Sequence, residues 1–408
     1  MELAGIAVPL QCRTIKINSN IAMITGSKII ELFYMADDFC RFFDARMAKY
    51  MFRPASGRAY QSGAGRLLRG VSAIMLLMFF GAALSSAGAK ERAYRKGFLY
   101  REGTQLMLDG RKYTCASFNS FQMSGCGDSF ELFTHRQIDS IFALLPEGMM
   151  VRTWAFPGNE DNAERLIKSA ERNGIKLILA LGDGRSSCGH HDGAKNGDGS
   201  GKTPAWYKTG YKAEYLPHVI RMTRKFRNSP AIGMWEIINE PADADVHTLK
   251  HFLDTVAHVI KTNDPHHLVE SGTFAGWAYG GIDNYRLLHS GKDIDVANIH
   301  DYDYDYNRSD MIESPHFRPC IDAARSLNKP FIVGEAGIQS GEGCRTDRKK
   351  RAEAMRRKFD VYIGKGASAV LVWNLANGVR KGCELTFSPN DPLMSLILEY
   401  AKYDKDRQ

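Results

Sequence analysis

Eight short apolar runs, most of them followed by a stretch of helical periodicity, constrain the fold of this chain more than any other feature. The strand-like runs are Tyr113–Phe118, Met149–Trp154, Ile175–Leu181, Ile232–Ile237, Leu268–Ser271, Asp295–Ile299, Phe331–Val333 and Ala369–Trp373. Helical candidates lie between them at Thr134–Leu145, Ala163–Asn173, Tyr215–Phe226, Val246–Thr262 and Asp347–Ile363. In the fourth, Leu249, Phe252, Leu253, Val256, Val259 and Ile260 recur at the three-and-four spacing of an inward helix face. An open doubly wound sheet rarely needs eight such units. The pattern therefore predicts an α/β fold, a closed parallel (β/α)8 TIM barrel. Two further runs, Phe98–Glu102 and Thr104–Leu108, with Asp109-Gly110 as a turn, predict a short N-terminal β-hairpin ahead of it.

The chain before this pattern has a different character. Arg66 and Arg69 precede an apolar run from Val71 to Leu84, and small residues follow up to Ala87-Gly88-Ala89. A positive flank, a short apolar core and an A-x-A site form a secretory signal peptide, with cleavage expected after Ala89. The run is short for a membrane span, which needs about 20 apolar residues; anchoring through residues 71–87 is the alternative. A signal peptide belongs at an N-terminus, so residues 1–65 are read as a leader outside the working protein. The organisation expected is leader 1–65, signal peptide 66–89 and catalytic barrel 90–408, giving a secreted monomer free of the membrane once the signal is removed.

Charge and cysteines follow the same division. The net charge is +8. Residues 1–89 carry ten Lys/Arg against five Asp/Glu, whereas residues 90–408 carry 44 against 41. The main body advertises no basic groove, and no nucleic-acid partner is expected. Asn196-Gly-Asp-Gly-Ser-Gly-Lys202-Thr203 approaches a phosphate loop, but its first glycine is replaced by Asn196 and Pro204 follows, so no nucleotide cofactor is expected. Six of the eight cysteines follow the signal, an even number that an oxidising compartment permits to pair. Cys344 and Cys383, in loops after successive late strands, are the favoured pair; Cys320 lies in a helical stripe and reads as a buried thiol. No C-x-x-C pair and no H-E-x-x-H spacing supports a metal site, and His190 and His191 read as solvent-facing.

In a barrel enzyme, catalytic groups project from the C-terminal ends of different strands. That rule converts the strand list into a site list. Strand two ends in Arg152-Thr153-Trp154, and strand four in Trp235-Glu236-Ile237-Ile238-Asn239-Glu240-Pro241. Strand six ends in His300-Asp301-Tyr302, strand seven in Gly334-Glu335-Ala336, and strand eight in Trp373-Asn374. Two carboxylates with such neighbours suit retaining glycoside hydrolysis. One carboxylate attacks the anomeric carbon; the other protonates the leaving oxygen and later deprotonates water. Arg152 can hold Glu335 ionised, Asn239 suits a sugar 2-hydroxyl, and Trp373 offers a face for a pyranose ring. Glu236 reads as a solvated charge or a partner of these groups. The Tyr/Asp alternation over 301–306 reads equally as a binding edge or a solvated loop.

Asn239-Glu240-Pro241 preceded by Trp235-Glu236, with His300 and Tyr302 and then Glu335 downstream, resembles glycoside hydrolase family 5 over residues 97–400. The resemblance implies that Glu240 is the acid/base and Glu335 the nucleophile. Arg152 and Tyr302 would support the nucleophile, and His300 would line the site. The segment Phe98–Gly110 also resembles the start of family 5 β-mannanases, which implies endo-acting cleavage of β-1,4-mannan, with Trp206, Trp277 and Trp154 as further sugar-binding residues. Many family members carry a His or an Asn-Trp pair just after strand three; here Leu181-Gly-Asp-Gly184 stands instead, with His190 or Asp183 as candidate replacements. An endo-β-1,4-glucanase or a transglycosylase would use the same carboxylates, and a non-catalytic carbohydrate-binding protein is a reading of another class. Residues 21–50 resemble the N-terminus of insertion-sequence transposases.

Overall fold

In the computed structural model, the structure describes residues 94–125, 131–185, 202–304, 310–378 and 381–407. The leader and signal segments, Cys126, Cys188, His190 and His191 lie outside the described residues. Those described fall within one compact unit, Arg92–Gln408.

The chain opens with β1 (Leu99–Glu102), β2 (Gln105–Leu108) and β3 (Arg111–Lys112), an antiparallel sheet of three strands rather than a simple hairpin. Gly103 makes the first turn, and Asp109-Gly110 joins β2 to β3. Then follow β4 (Cys115–Asn119), α1 (His135–Leu144), β5 (Met150–Trp154), α2 (Glu160–Asn173), β6 (Lys176–Ala180), α3 (Pro204–Lys208) and α4 (Tyr215–Phe226). Next come β7 (Ile232–Glu236), α5 (Val246–Asn263), β8 (Leu268–Glu270), α6 (Ile282–His289), β9 (Ala297–Asp301) and α7 (Phe317–Ser326). The chain ends with β10 (Phe331–Ala336), β11 (Ser340–Gly341), α8 (Arg348–Gly364), β12 (Ala369–Val372), β13 (Cys383–Glu384) and α9 (Pro392–Arg407).

Eight strands pair in parallel in the order β8-β7-β6-β5-β4-β12-β10-β9. An isolated parallel bridge between Glu270 and Val296 joins the two edges and closes the barrel. All eight strands correspond to the runs read from sequence. Their apolar residues are buried on both faces, as a parallel sheet covered by helices requires. The helices begin and end where local chemistry dictates. Thr134 and Gln137 form a reciprocal capping box at α1, Asp245 caps α5 through the Thr248 N–H, and Gly174 closes α2 in the left-handed conformation.

Two strands run further than their apolar stretches. β9 continues through His300 to Asp301, and β10 through Gly334 and Glu335 to Ala336. Of these added residues, His300 and Glu335 turn toward the functional end of the barrel, whereas Asp301 turns to Lys358 and Tyr362 of α8. The lookalike phosphate loop ends in a different structure: Thr203 accepts from the Trp206 N–H to cap α3, and Lys202 is buried with its ammonium over the Trp206 ring.

Cys344, three residues past β11, and Cys383 of β13 form a disulfide; Cys320 is a buried free thiol, and Cys115 is buried too. The bridge spans 39 residues. Its removal in Cys344→Ser should lower unfolding stability by about 2–4 kcal/mol, from the loop-closure entropy of the unfolded chain. Denaturant titration in the absence of reductant measures this; an unchanged midpoint would contradict the role assigned to the bridge.

Candidate active site

The centre of the site is Arg152, at the third position of β5 and wholly buried. Every guanidinium N–H has an acceptor. Nε and NH2 bind both oxygens of Glu236, NH2 also donates to Asn239 Oδ1 at 2.8 Å, and NH1 donates to Asn119 Oδ1 at 2.9 Å and Glu335 Oε1 at 2.6 Å. Burial alone would lower its pKa; the adjacent Glu236 and Glu335 carboxylates more than offset this and hold it above the ordinary value.

Glu335 reaches this position through an irregularity in β10. The register with both β9 and β12 shifts next to Val333, at Gly334. The Gly334 N–H donates to Asn298 Oδ1 at 2.8 Å and its carbonyl accepts from Asn119 Nδ2 at 2.9 Å. A Cβ there would stand 2.5 Å from Asn298 Oδ1 and would displace the amide that holds the Gly334 N–H. The second oxygen of Glu335 accepts from the Tyr302 hydroxyl. Tyr302 follows Asp301, itself buried and paired with Lys358 at 2.6 Å and with the Tyr362 hydroxyl at 2.6 Å. Within the alternating segment, Asp301 is thus an anchor of the strand end rather than a solvated group.

Glu240 is held from both sides of the β7 exit. Asn239 bridges in parallel to Asp183, and the Glu240 N–H donates to the Gly272 carbonyl at 2.8 Å. Its backbone has φ +48°, a left-handed conformation disfavoured for a side chain with a Cβ and sustained by these flanking bonds. Gly272, at φ +70°, must be glycine: a Cβ would lie 2.0 Å from the Ile238 carbonyl oxygen. Asn239 is fixed at both ends of its amide, with Oδ1 on Arg152 and Nδ2 donating to Asp183 Oδ1 at 3.0 Å.

The carboxyl groups of Glu240 and Glu335 and the ring of His300 converge, with one polar atom of each lying within 4.8 Å of the others. His300 Nδ1 is 2.7 Å from Glu240 Oε1 and 3.6 Å from Glu335 Oε2. Burial pushes the His300 pKa down to about 4, so the ring is neutral at pH 7. A neutral ring donating from Nδ1 leaves the proton of Glu240 free for another acceptor. Burial raises Glu240 to about 7, against the opposing charges of Arg152 and Arg185. Burial raises Glu335 above its ordinary value, although the Arg152 charge and the Tyr302 hydrogen bond oppose the rise. Burial would raise Glu236 too, yet Arg152 holds it below the usual carboxylate range. The site thus holds a carboxyl that keeps its proton near neutrality beside one bonded to a permanent cation.

The four tryptophans named from sequence divide. Trp373, half-buried, lies 5.8 Å from Trp154 and 5.9 Å from Phe121, and its backbone N–H donates at 2.9 Å to the carbonyl of Ala336, the residue after Glu335. Trp154 is 2% exposed and supports Trp373 from beneath, with Arg152 over its ring at 4.7 Å, so it offers no free face to a sugar. Trp206 packs against Tyr207, Tyr211, Tyr215 and Phe252 and is not brought to the carboxyls. Trp277 is 59% exposed and connects to the site through Phe274, which lies 5.7 Å from it and 6.0 Å from His300. Sequence reasoning missed Asn119, Asn298, Glu270 and Arg185. Of the two readings of Glu236, the structure supports the partner: it is fully buried on Arg152.

Arg185 is exposed, with its guanidinium 5.7 Å from the Phe274 ring centre. Its positive charge opposes the upward push of burial on Glu240. Arg185→Gln should therefore raise the Glu240 titration midpoint above about 7. The pH dependence of the Glu240 side-chain carboxyl carbon resonance measures it, and an unmoved or lowered midpoint would refute the coupling.

Comparison with known proteins agrees with this geometry. The family described as "Cellulase (glycosyl hydrolase family 5)" matches residues 149–369. Mannan endo-1,4-beta-mannosidase 3 of Arabidopsis thaliana is 25% identical over 397 residues, covering 81% of this chain and 95% of the plant protein. Probable mannan endo-1,4-beta-mannosidase C of Aspergillus terreus is 25% identical, covering 63% of this chain and 77% of the fungal one. Among solved structures, the endo-1,4-beta-mannanase from Rhizomucor miehei superposes with a TM-score of 0.60 at 18% identity, covering 76% of this chain and 100% of that one. The endo-beta-1,4-mannanase from Thermotoga petrophila gives 0.59 at 21% identity, covering 72% and 78%. These two establish the shared barrel. The family match spans more than half of the 408 residues and includes β5 through β10 with the carboxyl pair, so the chain belongs to glycosyl hydrolase family 5.

Proposed function

We propose that this glycoside hydrolase is a retaining, endo-acting β-1,4-mannanase in which Glu335 is the nucleophile and Glu240 the acid/base. The observation that carries the mechanism is the approach of the two carboxyls to within 4.8 Å. Retaining enzymes place them about 5–5.5 Å apart, whereas inversion needs roughly 6.5–9.5 Å to admit a water. The roles follow from the surroundings. Glu335, bonded to Arg152 and Tyr302, attacks the anomeric carbon as an anion and forms a glycosyl ester. Glu240, raised to about 7, protonates the leaving oxygen and then takes a proton from the water that hydrolyses the ester.

Asn239 keeps one amide hydrogen for the sugar 2-hydroxyl, since Asp183 engages the other. Trp373 provides the face for the ring at the cleavage point. Exposed Trp277 suits an outer sugar, as an extended chain cut internally requires. Mannan is preferred as substrate because the plant and fungal relatives carry mannanase names. The cellulase description of the matched family favours glucan as the second reading. Export rests on the signal-like segment 66–89, and no helix among the described residues is long and apolar enough to cross a membrane.

Glu335→Ala should abolish turnover on every substrate. Glu240→Ala should slow hydrolysis of mannan by about 10²–10⁴-fold. It should retain activity on aryl glycosides whose leaving group needs no proton, with azide restoring turnover. Anomeric NMR of early products decides retention, and an inverted product would overturn the mechanism. Faster turnover of mixed-linkage glucan or cellulose than of mannan would move the substrate to the second reading.

A further inference from the structure

Two buried carboxyls lie side by side behind the site. Glu236 on β7 is the direct register partner of Glu270 on β8, and both are 0% exposed. Glu236 gives both oxygens to Arg152. Glu270 Oε2 accepts from the Gly272 N–H at 2.7 Å, whereas its Oε1 is buried and accepts no hydrogen bond from the described residues. If Oε1 belonged to a carboxylate, it would be an uncompensated charge in the dry interior, costing several kcal/mol. If it carries a proton, Glu236 beside it is the acceptor, and Oε1 is no longer alone.

The surrounding charges favour the second state. Arg152 from β5 is the cation that faces the pair, and Glu236 and Glu335 already share it. His300 from β9 is neutral, Glu240 beyond β7 adds only potential negative charge, and Tyr215 and Tyr285 from α4 and α6 are held protonated by burial. Burial and the Glu236 charge both push the Glu270 carboxyl well above the ordinary range, in agreement with the packing.

We propose that Glu236 and Glu270 hold one proton between them, and that this acid–carboxylate pair is the positioning unit that keeps Arg152 fixed while Glu335 alternates between anion and glycosyl ester. The inference rests on Glu335 being the nucleophile. When Glu335 becomes an ester, its attraction for Arg152 falls, and a guanidinium held by the nucleophile alone would be free to shift. Here both oxygens of Glu236 retain it, and the Glu270 proton supports Glu236 as an anion without adding negative charge beside Glu335. Glu270 touches no substrate; it acts through Glu236 and Arg152.

Infrared spectroscopy of the full chain with labelled glutamate tests the proton directly. A protonated carboxyl stretch should persist at about pH 9, where Glu240 and ordinary carboxyls are ionised, and should vanish in Glu270→Gln. Glu270→Gln, which still donates, should keep kcat within about twofold. Glu270→Leu should lower kcat roughly tenfold or more with little change in KM, as misplaced catalytic groups do. Glu236→Gln should move the acid limb of the kcat profile to lower pH, because Arg152 then faces Glu335 alone. Absence of the band, its survival in Glu270→Gln, or wild-type kcat in Glu270→Leu would overturn the proposal. If Glu236→Gln fails to fold, the infrared arm stands without it. Failure of the nucleophile assignment would show separately, as turnover surviving in Glu335→Ala.

Discussion

A guanidinium with no access to water is tolerable only if every N–H finds an acceptor and its charge is met, and the functional end of this barrel is built around that demand. Transferring one such ion to a protein interior costs several kcal/mol even after relaxation. Arg152 offsets this with five donors directed at Glu236, Glu335, Asn239 and Asn119, residues from β7, β10, the β7 exit and β4. The same bonds fix the mutual positions of these strand ends. Closing the barrel and setting the catalytic geometry are therefore one event: a strand displaced by one residue would leave a buried donor or carboxylate unpaired.

The backbone is adapted to the same requirement. Gly334 lets β10 step in register so that Glu335 turns toward Arg152, and the Asn298 and Asn119 amides hold the step from each side. Gly272 accepts the Glu240 N–H while its own N–H serves Glu270. A Cβ at Gly272 would run into the Ile238 backbone, and one at Gly334 into the Asn298 amide that holds the step. The left-handed Glu240 between these straps is a local cost of conformation, sustained because the surrounding bonds over-determine it.

Much of this was legible in the sequence because two simple periodicities, strand and helix, alternate eight times, and because a barrel displays chemistry at strand ends. Glu240, Glu335, Arg152, Asn239, His300 and Tyr302 were found by that rule, and the structure brings them together. The sequence leaves Glu236 between two readings and Glu270 was missed, and both stand at the ends of apolar strand runs. Glu236 ends the run Ile232-Gly-Met-Trp-Glu and Glu270 ends Leu268-Val-Glu, where a carboxylate next to wholly buried residues is expensive unless paired. That expense was the available signal. The tryptophans were harder, because an aromatic ring suits a core and a sugar platform equally. Trp206 went to the packing around Phe252 and Trp154 beneath Trp373, and only tertiary contacts decide such a choice.

Charge placement joins the static structure to the proposed chemistry. In the proposed reaction, Arg152 begins as a cation and Glu236 and Glu335 as anions, with Glu240 and Glu270 neutral and His300 uncharged. Attack by Glu335 consumes its negative charge, and donation by Glu240 creates one a few ångströms away, so the total is unchanged. Arg152 need not move to follow it, being bound through two N–H groups to Glu236 and through only one to the nucleophile. A site whose net charge is constant and whose principal cation is anchored to a bystander needs little reorganisation between the two steps, and preorganisation of that kind is where electrostatic catalysis gains most.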